Sequence, residues 1–209
     1  MKNLSKQIAA ITLTMAAVIF LSIPQRLMAQ ANYKLVQGKD AVVTVQGSSN
    51  VHDWTETATS IESQGDFKME GDKLRSLRSF SFSATAKGLK SDHSSMDNRT
   101  YSTIKADKFP MITYKLNSAV VTLIQKNKYA IKATGDLTIA GATQTIVLNV
   151  DAVVNADNTI SCRGSQKIQL TDYKIDPPSF LLGAMKVKND LTIQFNLVYK
   201  NNQLLSKTN

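Results

Sequence analysis

The 209-residue chain has little of the residue types that build most catalytic and metal sites. It contains one cysteine, Cys162, and two histidines, His52 and His93. A single cysteine excludes an intrachain disulfide, so the stability of the fold has to come from its hydrophobic core. The sequence also lacks a CxxC or HExxH pair, a nucleophile elbow and a glycine loop for phosphate. These absences weigh against the enzyme classes that such motifs indicate.

Two His-Asp pairs are the remaining candidates for metal ligands. His52 precedes Asp53, and His93 follows Asp92, on separate predicted loops. Because neither pair has the ligand spacing of a specific metal motif, we predict no metal, no cofactor and no catalytic residue. An exported metal-dependent enzyme that uses His52, Asp53 and His93 is kept as an alternative hypothesis. We expect the single tryptophan, Trp54, to close the base of the core.

A long apolar run occurs at the amino terminus. Lys2 and Lys6 precede apolar residues 8–23, and the small residues Ala29 and Ala31 follow. This is the three-part pattern of a secretory signal peptide, cleaved after Ala29 or Ala31. We therefore predict that residues 1–31 are a signal peptide and that the rest is periplasmic, with secretion as the second choice. An amino-terminal membrane anchor is the alternative.

Positive charge is in modest excess and is not concentrated. The formal net charge is +9, and Lys2, Lys6 and Arg26 of the predicted leader account for three of those charges. The other basic residues form no dense run with interleaved aromatic residues, which is the pattern of a nucleic-acid interface. We predict no nucleic-acid partner, and a surface of this kind is compatible with transient contact with an anionic membrane surface.

Alternating apolar and polar residues dominate the rest of the chain. This period of two is typical of β-strands with one buried face. Eight segments show it: Tyr33–Gln46, Ala58–Met69, Ser76–Leu89, Met111–Ile124, Lys128–Ile139, Thr143–Val154, Thr159–Thr171 and Lys188–Lys200. Eight strands joined mostly by short turns predict an all-β antiparallel meander or barrel.

One segment between the third and fourth predicted strands has a different pattern. Ser94, with Asp97 three residues later, is a helix start signal, and it predicts one helix of about three turns. Met96, Tyr101 and Ile104 then share a face with Thr100. We predict that Met96, Tyr101 and Ile104 lie at one mouth of the barrel, where the helix would act as a plug or lid. A surface crossover is the alternative.

The predicted inward faces lack bulk near the middle of the strands, as at Ala84, Ala133 and Gly135. An eight-stranded barrel is either filled by its side chains or holds a ligand, so missing bulk favours an apolar tunnel. The predicted tunnel lining is Phe80, Phe82, Ala84, Ile112, Tyr114, Tyr129, Ile131, Ala133, Gly135, Leu137, Ile146, Leu148, Ile193 and Phe195. Alternation does not tell inside from outside, so an outer-membrane barrel with a lipid-facing apolar surface is an alternative.

Several segments together resemble the YceI-like family. They are SSNVHDW, SSMDNRTYSTIKADKFPMITYKL, YAIKATGDLTIAGATQTIVLNV and LTDYKIDPPSFLLGAMKVKNDLTIQFNLVYK, and the resemblance extends from about Tyr33 to Lys200. It implies an extended, lipocalin-like, eight-stranded antiparallel barrel in the periplasm, with one helix between strands 3 and 4, whose tunnel holds a polyisoprenoid lipid. Residues 98–101 depart from the Arg-Asp and His-Leu pattern of many relatives.

The hypothesis from these observations is an exported, non-enzymatic binding or carrier protein. Residues 32–201 would form a YceI-like barrel and residues 202–209 a polar tail. The resemblance implies a long-chain polyisoprenoid-type lipid or a quinone-like molecule as the ligand. A second alternative is a stress-related interaction module in which the barrel is only a scaffold. The oligomeric state is open, and long edge strands would allow a homodimer.

Overall fold

The computed structural model describes residues 32–38 and 41–202. The predicted signal peptide and residues 203–209 of the predicted tail lie outside the described residues. The strands are β1 Tyr33–Leu35, β2 Val42–Ser48, β3 Asp53–Ala58, β4 Ile61–Glu70, β5 Lys73–Thr85, β6 Leu89–Lys90, β7 Met111–Gln125, β8 Lys128–Ile139, β9 Ala142–Val154, β10 Ile160–Gln169, β11 Ser179–Phe180, β12 Met185–Lys186 and β13 Asp190–Asn201. One α-helix is described, α1 Ser94–Thr103.

Antiparallel pairing closes the sheet into an eight-stranded barrel. The order is β1-β4-β5-β7-β8-β9-β10-β13, and β13 pairs again with β1. This confirms the predicted all-β, lipocalin-like antiparallel barrel with one helix after its third strand. β2 and β3 extend the first two strands, because β2 pairs with β13 on one side and with β3 on the other.

Three of the predicted strands are interrupted, and one of them, Ser76–Leu89, divides at residues 86–88 into β5 and β6. The segment predicted as one strand, Tyr33–Gln46, divides into β1 and β2 around the turn signal at Gly38. The second strand begins at Asp53, earlier than the predicted Ala58, and it breaks into β3 and β4. Both breaks change the local register, so the first two strands bend around the barrel and do not run straight.

The period of two is clearest in β8. Tyr129, Ile131, Ala133 and Leu137 are buried on its inner face, whereas Lys132 is exposed on the other. Successive side chains of a strand point to opposite faces, and a barrel wall one strand thick places one of those faces inside. The inner faces of the strands therefore build the core.

Aromatic residues fill one end of the barrel, which we call the aromatic end. The Tyr33 and Phe67 rings are 5.4 Å apart, and the Phe67 and Tyr199 rings are 5.6 Å apart. The Tyr199 hydroxyl shares a 3.0 Å hydrogen bond with the Ser63 hydroxyl. The side chains buried at this end are Tyr33, Phe67, Tyr129, Ile160 and Tyr199. Trp54, on β3 toward the opposite end, is half-buried and packs against the core, and the expectation that it closes the base of the core stays a prediction.

The helix α1 lies at the opposite end, which we call the helix end. It starts at Ser94, as predicted, but its cap position is His93, which makes no side-chain capping bond. The Asp97 carboxylate instead accepts 2.8 Å hydrogen bonds from both the backbone and the hydroxyl of Ser91, and it lies 3.3 Å from the Lys90 ammonium. Those bonds hold the helix against the segment that precedes it. In the described part of the chain, no helix is both long and apolar enough to cross a membrane.

Pairing around the barrel is incomplete in two places. The β5–β7 ladder ends at Ser81 and Lys115, and the β9–β10 ladder ends at Val150 and Gly164. Beyond Lys115, β7 therefore has an edge that β5 does not cover. This half of β7 carries exposed apolar residues: Val120, Leu123 and Ile124. A second copy of the chain would pair along this uncovered edge in the predicted homodimer. The homodimer stays a prediction.

The aromatic end predicts a large effect of truncating Tyr199. Tyr199→Ala should lower the free energy of unfolding by about 3–5 kcal/mol, because it empties a fully buried aromatic site. The matched variant Tyr199→Phe keeps the ring and loses only the bond to Ser63, so its cost should be about 1 kcal/mol. Urea unfolding followed by Trp54 fluorescence measures both. If both variants lowered the free energy of unfolding by the same amount, the Tyr199 ring would not support closure of the barrel.

Candidate ligand cavity

The barrel interior contains a cavity of about 370 Å³ that extends along its length. This volume is within the usual range for small-molecule sites. All but two of the predicted lining residues border it: Phe80, Phe82, Ala84, Ile112, Tyr114, Ile131, Ala133, Leu137, Ile146, Leu148, Ile193 and Phe195. The strands thus bring these residues together around one space.

Tyr129 and Gly135 do not border the cavity. Tyr129 belongs to the aromatic end, where its hydroxyl accepts a 3.1 Å hydrogen bond from the backbone N–H of Leu74. Gly135 lies under the Tyr114 ring, and a Cβ added there would be 2.5 Å from the Tyr114 Cζ atom and from the Lys115 carbonyl oxygen. The missing bulk at Gly135 therefore makes room for a neighbouring side chain and not for a ligand.

Aromatic rings of the wall rest on glycines of adjacent strands. The Phe195 ring covers Gly164 in the same way that the Tyr114 ring covers Gly135, with Cζ 2.5 Å from an added Cβ. Gly164 and Phe195 are direct partners in the β10–β13 ladder. A ring that lies against the wall fills the gap above a glycine and leaves the centre of the barrel open. This packing explains how aromatic residues line the cavity while the centre of the barrel stays empty.

The predicted mouth residues divide into two groups. Met96 and Ile104 border the cavity, together with Arg99, Thr100 and Thr103 of the same helix region. Tyr101 does not border it: its hydroxyl lies 2.8 Å from the carbonyl oxygens of both Lys87 and Leu89, which share its one proton. Helix α1 thus lies at one end of the cavity, and its role as a plug or lid stays a prediction.

The first two strands contribute cavity residues that were not among the predicted lining. Val43, Val45, Trp54, Glu56 and Ala58 border the cavity from β2 and β3. A signal was present, because Trp54, Glu56 and Ala58 alternate along the chain with Asp53, Thr55 and Thr57. This alternation lies before the predicted second strand, which begins at Ala58, and so these residues were not assigned to the lining.

Polar side chains around the cavity collect at the helix end. Apart from Gln166 and tyrosine hydroxyls, they come from the β2–β3 hairpin, from β3, or from α1 and the residue before it: Ser49, His52, Glu56, His93, Ser95, Arg99, Thr100 and Thr103. The rest of the wall is aliphatic and aromatic. The cavity is therefore amphipathic along its length, with an apolar body and one polar end.

Glu56 is the buried acid of this polar end. Its side chain is 1% exposed, and its Oε1 atom accepts a 2.5 Å hydrogen bond from the Thr100 hydroxyl. Burial raises the pKa of Glu56 from 4.5 to about 7; the Thr100 hydrogen bond opposes the shift, and the nearby Asp97 charge adds to it. Glu56 therefore changes its charge close to neutral pH, unlike an ordinary glutamate.

The candidate metal ligands are not assembled into a metal site. Among the described residues, no group of three or more His, Cys, Asp or Glu side chains is placed to hold an ion. His52 and His93 are exposed at the helix end, and the His52 Nδ1 atom lies 2.9 Å from the Asp53 carbonyl oxygen. No step of a metal-dependent reaction can be derived from this arrangement.

Two further polar groups lie on the cavity wall. Burial raises the pKa of the Cys162 thiol to about 12, so the side chain behaves as a small apolar group. Tyr173 is also buried, and its hydroxyl has no hydrogen-bond partner among the described residues. Both groups are uncharged at neutral pH, so the Glu56 carboxyl is the buried acid on this wall.

The model of the YceI-like domain matches residues 33–199. No curated protein sequence is a significant match to the chain.

Solved structures show the same fold at low sequence identity. BcnA of Burkholderia cenocepacia is 18% identical with a TM-score of 0.62, over 76% of this chain and 95% of BcnA. A polyisoprenoid-binding domain from Saccharophagus degradans, implicated in plant cell wall breakdown, is 10% identical with a TM-score of 0.60, over 82% of this chain and 99% of that domain. The YceI protein of Campylobacter jejuni is 21% identical with a TM-score of 0.52, over 70% and 84% of the two chains.

The raised pKa of Glu56 predicts a pH dependence of stability. The unfolded chain loses this proton near pH 4.5 and the folded chain near pH 7, so stability falls as the pH rises through that window and levels off above it. The loss attributable to Glu56 should be on the order of 3 kcal/mol at most. Glu56→Gln should remove this pH-dependent loss of stability. Glu62→Gln, at an exposed site of β4, should leave the loss unchanged. Urea unfolding of the three proteins from pH 4.5 to 8 tests this, and identical profiles for wild type and Glu56→Gln would contradict it.

Proposed function

The chain belongs to the YceI-like family, and on this premise we propose that it is a non-enzymatic binding or carrier protein for a long-chain polyisoprenoid-type lipid, held in the barrel cavity. The ligand would be an isoprenoid lipid or a quinone-like molecule. The protein would be exported to the periplasm, and the signal-peptide pattern of residues 1–31 supports this localisation.

The apolar cavity is the observation that carries the proposal. Aliphatic and aromatic side chains from nearly every strand face it, and its polar groups collect at one end. Each CH₂ group transferred from water into such a space contributes about 0.8 kcal/mol, before the cost of ordering the chain. A long hydrocarbon with a small polar head matches this distribution.

The comparisons support the ligand class. The Saccharophagus degradans neighbour binds polyisoprenoid, and its fold extends over most of the present chain. A binding function also fits a site whose wall offers hydrophobic area and few polar groups. The proposal is therefore a carrier that shields a hydrocarbon chain from water.

The turn between β11 and β12 supports transient contact with a membrane surface. Leu181 is 66% exposed and Leu182 fully exposed, and both have φ near +55°, a conformation that costs leucine more than glycine or asparagine. Phe180 and Met185, on either side of this turn, border the cavity. Exposed leucines beside a cavity opening would insert into a lipid surface and place the opening against it.

Blocking the cavity should abolish lipid binding. Ala133 is 4% exposed and borders the cavity, so Ala133→Trp should fill the middle of the barrel and remove bound lipid. Ala84→Trp fills the same cavity from β5, two strands away, and serves if the first variant folds poorly. Thr134→Trp, on the outer face of β8, is the matched control and should retain lipid.

Native mass spectrometry with lipid extraction, on protein made in its own host, measures the outcome. Lipid-free wild-type protein together with a barrel filled by side chains in a crystal structure would contradict the carrier. A chain that loses lipid on Ala133→Trp but keeps a protein partner would support a second, scaffold role. Near-stoichiometric metal in the purified protein would favour the enzyme hypothesis.

Replacing the exposed leucines should slow lipid uptake without changing affinity. Leu181→Ser with Leu182→Ser removes the apolar turn but leaves the cavity wall intact, so the rate of transfer from anionic vesicles should fall several-fold at unchanged equilibrium binding. Val120→Ser, at another exposed apolar site, is the control. Transfer rates measured by stopped-flow fluorescence decide this. A rate equal to that of wild type would contradict membrane contact through this turn.

A further inference from the structure

One acidic side chain on the cavity wall is buried without a charged partner. Glu56 lies on the inner face of β3 between Trp54 and Ala58, and all three border the cavity. Within the described residues, the Thr100 hydroxyl is the group hydrogen-bonded to its carboxyl. A carboxylate offers about four acceptor positions, and a buried polar group without partners is costly. The remaining capacity of Glu56 is therefore available to a group that enters the cavity.

The charges around Glu56 disfavour an anion at this position. Burial is the main cause of the raised pKa of Glu56, and the negative charge of Asp97 adds to it. On α1, the Arg99 guanidinium lies over the Phe180 ring, 4.8 Å from its centroid. On β6, the Lys90 ammonium lies 3.3 Å from Asp97 and over the Tyr101 ring.

The other titratable groups lie nearer to solvent. His52 on the β2–β3 hairpin, Asp53 on β3 and His93 before α1 are exposed. Glu56 is thus the fully buried ionisable group of the polar end, and Arg99, which is half-buried, is the cation on the cavity wall. A phosphate that reached Glu56 would be a second negative charge in a site with little water.

We propose that Glu56, positioned by Thr100, is the head-group contact of this cavity and that it selects an uncharged, oxygen-bearing head, an alcohol or a quinone carbonyl, over a phosphorylated one. The inference rests on the proposed lipid-binding function and adds the chemistry of the head group. The apolar tail would extend from the helix end toward the aromatic end, along the aliphatic wall.

Protonation of Glu56 distinguishes the two uncharged heads. A quinone carbonyl only accepts hydrogen bonds, so it needs the protonated carboxyl as a donor. An alcohol both donates and accepts, so it can bind either form. Because the pKa of Glu56 is about 7, the pH range from 6 to 8.5 moves the side chain from mostly protonated to mostly ionised.

The experiment uses four probes with the same prenyl chain: an alcohol, a benzoquinone, a monophosphate and the hydrocarbon without a head. Binding to the mature protein is measured at pH 6 and pH 8.5 by native mass spectrometry. Quenching of Trp54 fluorescence follows the quinone independently, since this single tryptophan borders the cavity. Wild type, Glu56→Gln, Glu56→Leu and the exposed-site control Glu62→Gln are compared.

For wild type, we expect the quinone to bind about tenfold more weakly at pH 8.5 than at pH 6, and the alcohol to change little. Glu56→Gln keeps a donor and an acceptor at both pH values, so its quinone affinity should be independent of pH. Glu56→Leu should reduce alcohol binding about tenfold, to the level of the hydrocarbon. Glu62→Gln should behave as wild type. The monophosphate should bind more weakly than the alcohol to wild type.

Several results would overturn the inference. One is a monophosphate that binds wild type more tightly than the alcohol does. Another is a quinone affinity with the same pH dependence in wild type and Glu56→Gln, or an alcohol affinity unchanged by Glu56→Leu in a protein that still binds the hydrocarbon. Failure of the proposed function has a different signature, because then the headless hydrocarbon and the other probes would all fail to bind wild type.

Discussion

Closure of the barrel at β1 is the constraint on which the rest of the structure depends. This strand has three residues, yet it joins β4 to β13 and completes the ring of eight strands. So short a ladder contributes few hydrogen bonds. The buried aromatic cluster of Tyr33, Phe67 and Tyr199 spans these strands and fixes them together. An aromatic pair contributes about 0.5–1.5 kcal/mol beyond the area it buries, so the cluster holds closed an end that the backbone alone would hold weakly.

With one end closed by side chains, the remaining interior can stay open. The wall achieves this through rings that lie over glycines, as Tyr114 does over Gly135 and Phe195 over Gly164. Such rings keep the wall densely packed without crossing the centre. The polar groups are confined to the helix end, where the bond between Thr100 and Glu56 connects α1 to β3. The aromatic cluster is thus concentrated at one end of the barrel and the polar groups of the cavity at the other.

Much of this architecture is present in the sequence pattern, and the exceptions have specific causes. Ile131, Ala133 and Leu137 could be assigned to the interior because strand side chains alternate by geometry. Gly135 has the same inward phase, yet the ladder between β7 and β8 places the Tyr114 ring over it. Tyr101 was assigned to the mouth from its helical phase, and its hydroxyl instead reaches the backbone carbonyls of Lys87 and Leu89.

The sequence by itself determined the eight-stranded barrel, the inward phase of most of its strands, the position of the helix and the apolar character of the interior, because these depend on local periodicity. Only the tertiary structure decided which inward residues border empty space, because that depends on which ring or strand lies across from each of them. It also decided the environment of Glu56. Glu56 lies at an inward position of β3. Its bond to Thr100 of α1, 44 residues later in the chain, exists only in the folded barrel.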